Sequence, residues 1–147
     1  MVKVSRSITI STTTTDLFDY VAVPMNFLVV LPGLIKVYDV SKSPALKGDA
    51  YRWVFKILGV SLQGYMQITE YQRPKLYIAQ SSGMGTSIWI YEIKSLARKK
   101  TELTLTIEYD YPTLIMKQFA APVFRKTVEK EAEQMLHNLK YVLEGGA

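Results

Sequence analysis

The run Phe124-Arg125-Lys126-Thr127-Val128-Glu129-Lys130-Glu131-Ala132-Glu133-Gln134-Met135-Leu136-His137-Asn138-Leu139-Lys140-Tyr141-Val142-Leu143 decides the fold. Phe124, Val128, Ala132, Met135, Leu136, Leu139, Val142 and Leu143 recur at spacings of three and four, the signature of one apolar helical face. Arg125, Lys126, Lys130, Glu133, His137 and Lys140 occupy the opposite face. Gly145-Gly146 supplies the stop. The helix is expected to begin near Thr113, with Pro122 kinking it or splitting it in two.

Upstream of this helix the period changes from 3.6 to two. Val2, Val4, Ile8 and Ile10 alternate with polar residues, and Arg6 falls on the apolar side. Thr15 is the expected cap of a short helix carrying Leu17, Phe18, Tyr20 and Val21, and Pro24 opens a second that runs to about Val30. Pro32-Gly33 is a turn. Six further strands follow, spanning Leu34 to Val40, Tyr51 to Leu58, Val60 to Thr69, Leu76 to Ser82, Thr86 to Ile93 and Leu103 to Tyr111. The turns between them are short, which predicts an antiparallel meander. One helix with one apolar face covers one face of a seven-stranded sheet. Such a sheet curls as it twists, and a curled sheet around a helix leaves an interior gap.

Composition narrows the function classes. The chain has 147 residues, of which 48% are hydrophobic, enough for a single domain over 1–147 with a core of its own. It contains no cysteine, so disulfides, thiolate metal sites and cysteine nucleophiles are excluded. No apolar run approaches the ~20 residues of a membrane span, and the N-terminus lacks a secretory pattern, so a cytoplasmic location is expected. The net charge is +5, with basic residues scattered from Lys3 to Lys140; the Arg98-Lys99-Lys100 run falls in a turn. There is no recognition helix and no aromatic RNA-binding strand motif, so no nucleic-acid partner is expected.

The element order resembles the helix-grip fold of the START/Bet v 1-like (SRPBCC) superfamily. The likeness runs along nearly the whole chain. It is carried by the opening strand Val4-Ser5-Arg6-Ser7-Ile8-Thr9-Ile10, the helix Asp16-Leu17-Phe18-Asp19-Tyr20-Val21, Pro24, Leu31-Pro32-Gly33-Leu34, Gly48-Asp49 and the amphipathic end. Within the superfamily the chain is similar to the polyketide cyclase/dehydrase and coenzyme-Q-binding branches. Leu31-Pro32-Gly33-Leu34, Gly64 and the Glu70 to Pro74 turn also resemble the G-type proteins of carbon monoxide dehydrogenase. The resemblance implies an α+β domain with a curved antiparallel sheet around the C-terminal helix. It further implies a cavity for a lipid, quinone or polyketide-like aromatic molecule, used for binding or transport; a minority of such proteins are enzymes.

The candidate chemistry is sparse. His137 is the only histidine and sits on the polar helix face without partners, so it is read as solvated. Glu129, Glu131 and Glu133 are read as solvated charges, with Glu129 and Glu133 pairing with Lys126 and Lys130. Gly83-Met84-Gly85-Thr86 precedes a strand, not a helix, which makes it a hairpin turn rather than a phosphate loop. No catalytic residue, metal or cofactor is assigned.

Ten tyrosines, two tryptophans and five phenylalanines are more telling. They either fill a plain core or wall a pocket. The expected ligand-lining residues are Tyr51, Trp53, Phe55, Tyr109, Phe124 and Val128, with Phe27, Leu31 and Pro32 at the mouth. Arg6 and Glu92 are charges on apolar strand faces: either their strand ends reach solvent or they project into the cavity. The apolar segment Phe27-Leu28-Val29-Val30-Leu31, with Lys36 nearby, is either a buried lid or a surface for transient membrane contact. Three functions are open: a carrier of a hydrophobic molecule, a cyclase- or dehydratase-type enzyme using Arg6, Glu92 or tyrosines, and a regulatory or assembly partner. The lack of a catalytic set favours the carrier.

Overall fold

The structure is a computed structural model and describes residues 1–146. Strand β1 (Val2–Ile10) is followed by helix α1 (Thr14–Val21), a 3-10 turn (Pro24–Asn26) and helix α2 (Phe27–Val30). Strands β2 (Leu34–Tyr38), β3 (Ala50–Ile57), β4 (Val60–Gln72), β5 (Leu76–Gly83), β6 (Ser87–Ala97) and β7 (Lys100–Tyr109) come next. Helix α3 (Thr113–Met116) and the long helix α4 (Ala121–Leu143) complete the chain.

All pairings are antiparallel, in one seven-stranded sheet of order β1-β7-β6-β5-β4-β3-β2. Strands β2 to β7 form the meander, and β1 closes onto β7. The β1–β2 connection therefore crosses from one sheet edge to the other, carrying α1 and α2 with it. Phe18 of α1 lies edge-on against Tyr71 and Tyr77, with ring centroids 5.0 and 5.6 Å away. Phe124, Val128, Ala132, Met135, Leu136 and Leu139 of α4 are buried against the concave side. The sheet curves around this helix, as the helix-grip order requires.

A bulge between Ile68 and Glu70 adds to that curvature and shifts the strand phase. Before it, Leu62, Met66 and Ile68 point inward; after it, Tyr71 does, opposite Tyr77. A simple period of two cannot anticipate this slip.

Several local expectations change. Thr13, not Thr15, caps α1: its side chain accepts from the Asp16 N–H at 3.1 Å. Strand β2 ends at Tyr38 rather than Val40, because Asp39 turns the chain with a φ of 52°. At Pro122 the chain divides into α3 and α4, and the proline takes the first turn of α4, where its missing N–H costs nothing. The Phe27–Leu31 segment divides by side. Phe27, Val30 and Leu31 are buried, whereas Val29 is 64% exposed. Among the described residues no helix is long and apolar enough to cross a membrane.

Candidate functional site

Between the sheet and α4 lies an apolar cavity of about 130 Å³. Strand β3 supplies Tyr51, Trp53, Phe55 and Ile57, whose alternation places them on the concave face. Leu62 and Met66 come from β4, Tyr77, Ala79 and Ser81 from β5, and Ser87, Trp89 and Tyr91 from β6. Ile107 and Tyr109 of β7, Phe124, Val128 and Glu131 of α4, and Phe27 and Leu31 beside α2 close the remaining sides.

The space exists for identifiable reasons. Position 64 has no side chain, and a Cβ there would collide with the Trp53 ring and the Ser82 carbonyl. Gly64 therefore lets the indole lie across β4 while its ring forms cavity wall. Gly33 plays the same part at the α2–β2 turn, where a Cβ would strike the Glu131 carboxylate and the Phe55 ring. The Gly33 N–H donates to Glu131 Oε1 at 2.7 Å, and Asn138 Nδ2 donates to the Val30 carbonyl at 2.9 Å. These two bonds tie the turn beside the cavity to α4.

The polar groups in the wall fall into two sets. Trp89 Nε1 donates to Ser87 Oγ at 2.9 Å, and Ser81 Oγ donates to the Gly85 carbonyl at 2.9 Å. The Ser81–Ser87 bond of 2.6 Å must then run from the Ser87 hydroxyl to Ser81 Oγ, because the Ser81 proton is already used. Every donor in that chain is spent. The tyrosines differ. Tyr77 donates to the Ala45 carbonyl at 2.9 Å, but the Tyr51 and Tyr91 hydroxyls have no hydrogen-bond partner among the described residues. Trp53 Nε1 is sealed in by packing without an acceptor; the two tyrosine hydroxyls are not sealed and open on the cavity.

Burial pushes the Tyr51 and Tyr91 hydroxyls up from the ordinary phenol range, and the nearness of Tyr51 and Tyr77 raises Tyr91 further. Tyr77 is raised for the same first reason. These groups are neutral donors rather than bases. Burial also raises Glu131, partly offset by the Gly33 N–H.

Eight of the sequence-derived site residues meet in this wall: Tyr51, Trp53, Phe55, Tyr109, Phe124, Val128, Phe27 and Leu31. Three do not. Pro32 lies outside, on a shallow depression that shares only Ile57 and Glu131 with the cavity. Arg6 does point to the concave side, but at the sheet edge. Its Nη2 meets Glu129 Oε2 at 2.7 Å and its Nε lies 3.9 Å from Glu133. Those carboxylates thus pair with Arg6, and Glu129 also with Arg125 at 3.4 Å, instead of with Lys126 and Lys130.

Glu92 is exposed on the convex face beside Ile88 and Ile90. Both faces of β6 are apolar in sequence, so periodicity could not choose between them. Pairing chose: Tyr91 sits opposite Tyr77 and Leu105, on the inner side. The same ambiguity hid Trp89 and Tyr91. Glu131 was hidden by its charged neighbours; it is half-buried and not a freely solvated charge.

Solved structures that resemble this chain share its architecture. TTHA0849 from Thermus thermophilus superposes with a TM-score of 0.80 at 15% identity, covering 97% of each chain. The Zhui aromatase/cyclase from Streptomyces sp. R1128 gives 0.78 at 13% identity over 99% of each. A START superfamily protein from Mycobacterium smegmatis gives 0.68 at 15% identity, over 97% of this chain and 94% of the other. At such identities the likeness is one of fold. No curated protein matches the chain significantly. The family model described as polyketide cyclase/dehydrase and lipid transport matches residues 1–144, and the chain belongs to that family.

Proposed function

We propose that this protein holds a hydrophobic small molecule in the cavity between the sheet and α4, as a carrier or binding protein. One observation carries the reading: an apolar space of about 130 Å³ persists inside a domain whose surrounding residues are otherwise closely packed. Leaving apolar side chains without partners costs stability, so such a space calls for an occupant. Burial of the ligand's own apolar surface supplies the affinity, and the few polar wall groups orient it. Native mass spectrometry of the freshly purified protein tests this, with recovery of a bound hydrophobic compound expected. Only unliganded protein, together with no response of the cavity tryptophans to any small apolar probe, would refute it.

The family description also names cyclases and dehydrases, so an enzyme on the same site is the second reading. Arg6 and Glu92 are poor candidates for it, being paired and exposed respectively. Its acid–base groups would be Glu131 and Asp110 in the wall, with Tyr51 and Tyr91 as neutral donors. Turnover of a polyketide substrate that is lost in Glu131→Gln would favour the enzyme over the carrier.

A further inference from the structure

The cavity wall has an uneven set of charges and donors. Among the described lining residues there is no lysine, arginine or histidine, although the chain as a whole carries a net charge of +5. The charged lining groups are carboxylates, Glu131 and the exposed Asp110. An anionic head group would enter without a counter-charge and against these two acids, which a low-dielectric site penalises heavily. Arg6, the cation that points to the concave side, is already engaged by Glu129 at 2.7 Å.

The donors point the other way. The serine chain below Trp89 has spent every proton on a protein acceptor. Tyr51 and Tyr91, 5% and 3% exposed, keep theirs free and face the open space. A buried hydroxyl without an acceptor is costly, and an acceptor on the ligand removes the cost.

We propose that the Tyr51 and Tyr91 hydroxyls are the polar subsite of the cavity, and that its ligand is an uncharged, ring-sized molecule presenting a carbonyl-type oxygen to them. This rests on the reading of the cavity as a ligand site. The size follows from the volume of about 130 Å³, near that of a cavity that admits one benzene ring at about 150 Å³. Fatty acids and phospholipids are excluded by their charge, and plain hydrocarbons are disfavoured because they leave both hydroxyls unpaired.

Four probes of matched size separate these properties: acetophenone, ethylbenzene, benzoate and benzylamine. Both tryptophans of the chain, Trp53 and Trp89, line the cavity, so their two indole N–H resonances report occupancy at the site itself. Acetophenone is expected to shift both saturably and to bind about 3- to 10-fold more tightly than ethylbenzene, the range of one added neutral hydrogen bond. Benzoate and benzylamine are expected to bind more weakly than either. Tyr51→Phe and Tyr91→Phe should each weaken acetophenone toward ethylbenzene and leave ethylbenzene unchanged.

Equal binding of acetophenone and ethylbenzene, or benzoate or benzylamine binding most tightly, overturns the subsite while leaving the cavity as a ligand site. No shift with any probe overturns both. Neither hydroxyl supports another protein group, so the phenylalanine variants should fold. Should one fail, the ranking of the four probes on the wild-type protein still decides.

Discussion

Ala79→Leu fills the cavity from its floor. Ala79 lies on β5 between Tyr77 and Ser81, pairs across the sheet with Ile68 and Trp89, and is 3% exposed. Two routes give the size of the effect. An unfilled volume of about 130 Å³, at ~24 cal/mol per Å³, forfeits about 3 kcal/mol of stability. The isopropyl group that leucine adds contributes about 2.4 kcal/mol if it is buried there, at ~0.8 kcal/mol per carbon. The agreement sets the expected gain at about 2 kcal/mol, or roughly 4–8 °C in Tm for a domain of this size.

Calorimetry of the unliganded protein measures the gain, and titration with acetophenone measures the loss of binding that must accompany it. A folded Ala79→Leu protein that is destabilised by about 1–3 kcal/mol, the usual penalty of overpacking, would show that the space is not available to a side chain. Unchanged acetophenone affinity would show that the ligand sits elsewhere.

Arg6→Leu should cost no more than about 1 kcal/mol, because its pair with Glu129 is partly solvated, with side chains 36% and 30% exposed. Denaturant unfolding at low and high salt measures it, and probe affinity should not move. Gly64→Ala should destabilise by several kcal/mol, as expected when the new Cβ must displace the Trp53 ring and the Ser82 carbonyl. Its chemical denaturation midpoint reads this directly, and a midpoint near wild type would disprove the close approach. Alkali should unfold the protein steeply. Tyr51, Tyr77 and Tyr91 are all raised in the folded state, so above pH ~10 the unfolded chain releases protons that the folded one retains, and stability falls with rising pH. Three such groups give a slope of about 4 kcal/mol per pH unit, at ~1.36 kcal/mol each. Absorbance at about 295 nm, followed together with circular dichroism, should show these phenols ionising only as the fold is lost.

Much of this was legible in the sequence. The 3.6 period from Phe124 to Leu143 and the period of two in the preceding strands reflect how side chains emerge from helix and strand backbones, a local property. They were sufficient for the element order and the curved sheet. The β3 wall, Tyr51, Trp53 and Phe55, was readable for the same reason, since its alternate residues are charged or smaller.

Other features depended on pairing partners distant in sequence. Ile88 and Trp89 are equally apolar neighbours, and only the register with β5 and β7 turned Trp89 and Tyr91 inward and left Glu92 in water. The bulge at β4 moved Tyr71 to the inner face. Arg6 and Glu129 stand 123 positions apart, so their ion pair is a product of α4 docking on the β1 edge. The unspent hydroxyls of Tyr51 and Tyr91 belong to this second class. The sequence by itself determined that an amphipathic helix and alternating strands must bury their apolar faces together. Which donors were left without partners in the space between them was decided only when the strands found their register and Trp53 lay down across Gly64.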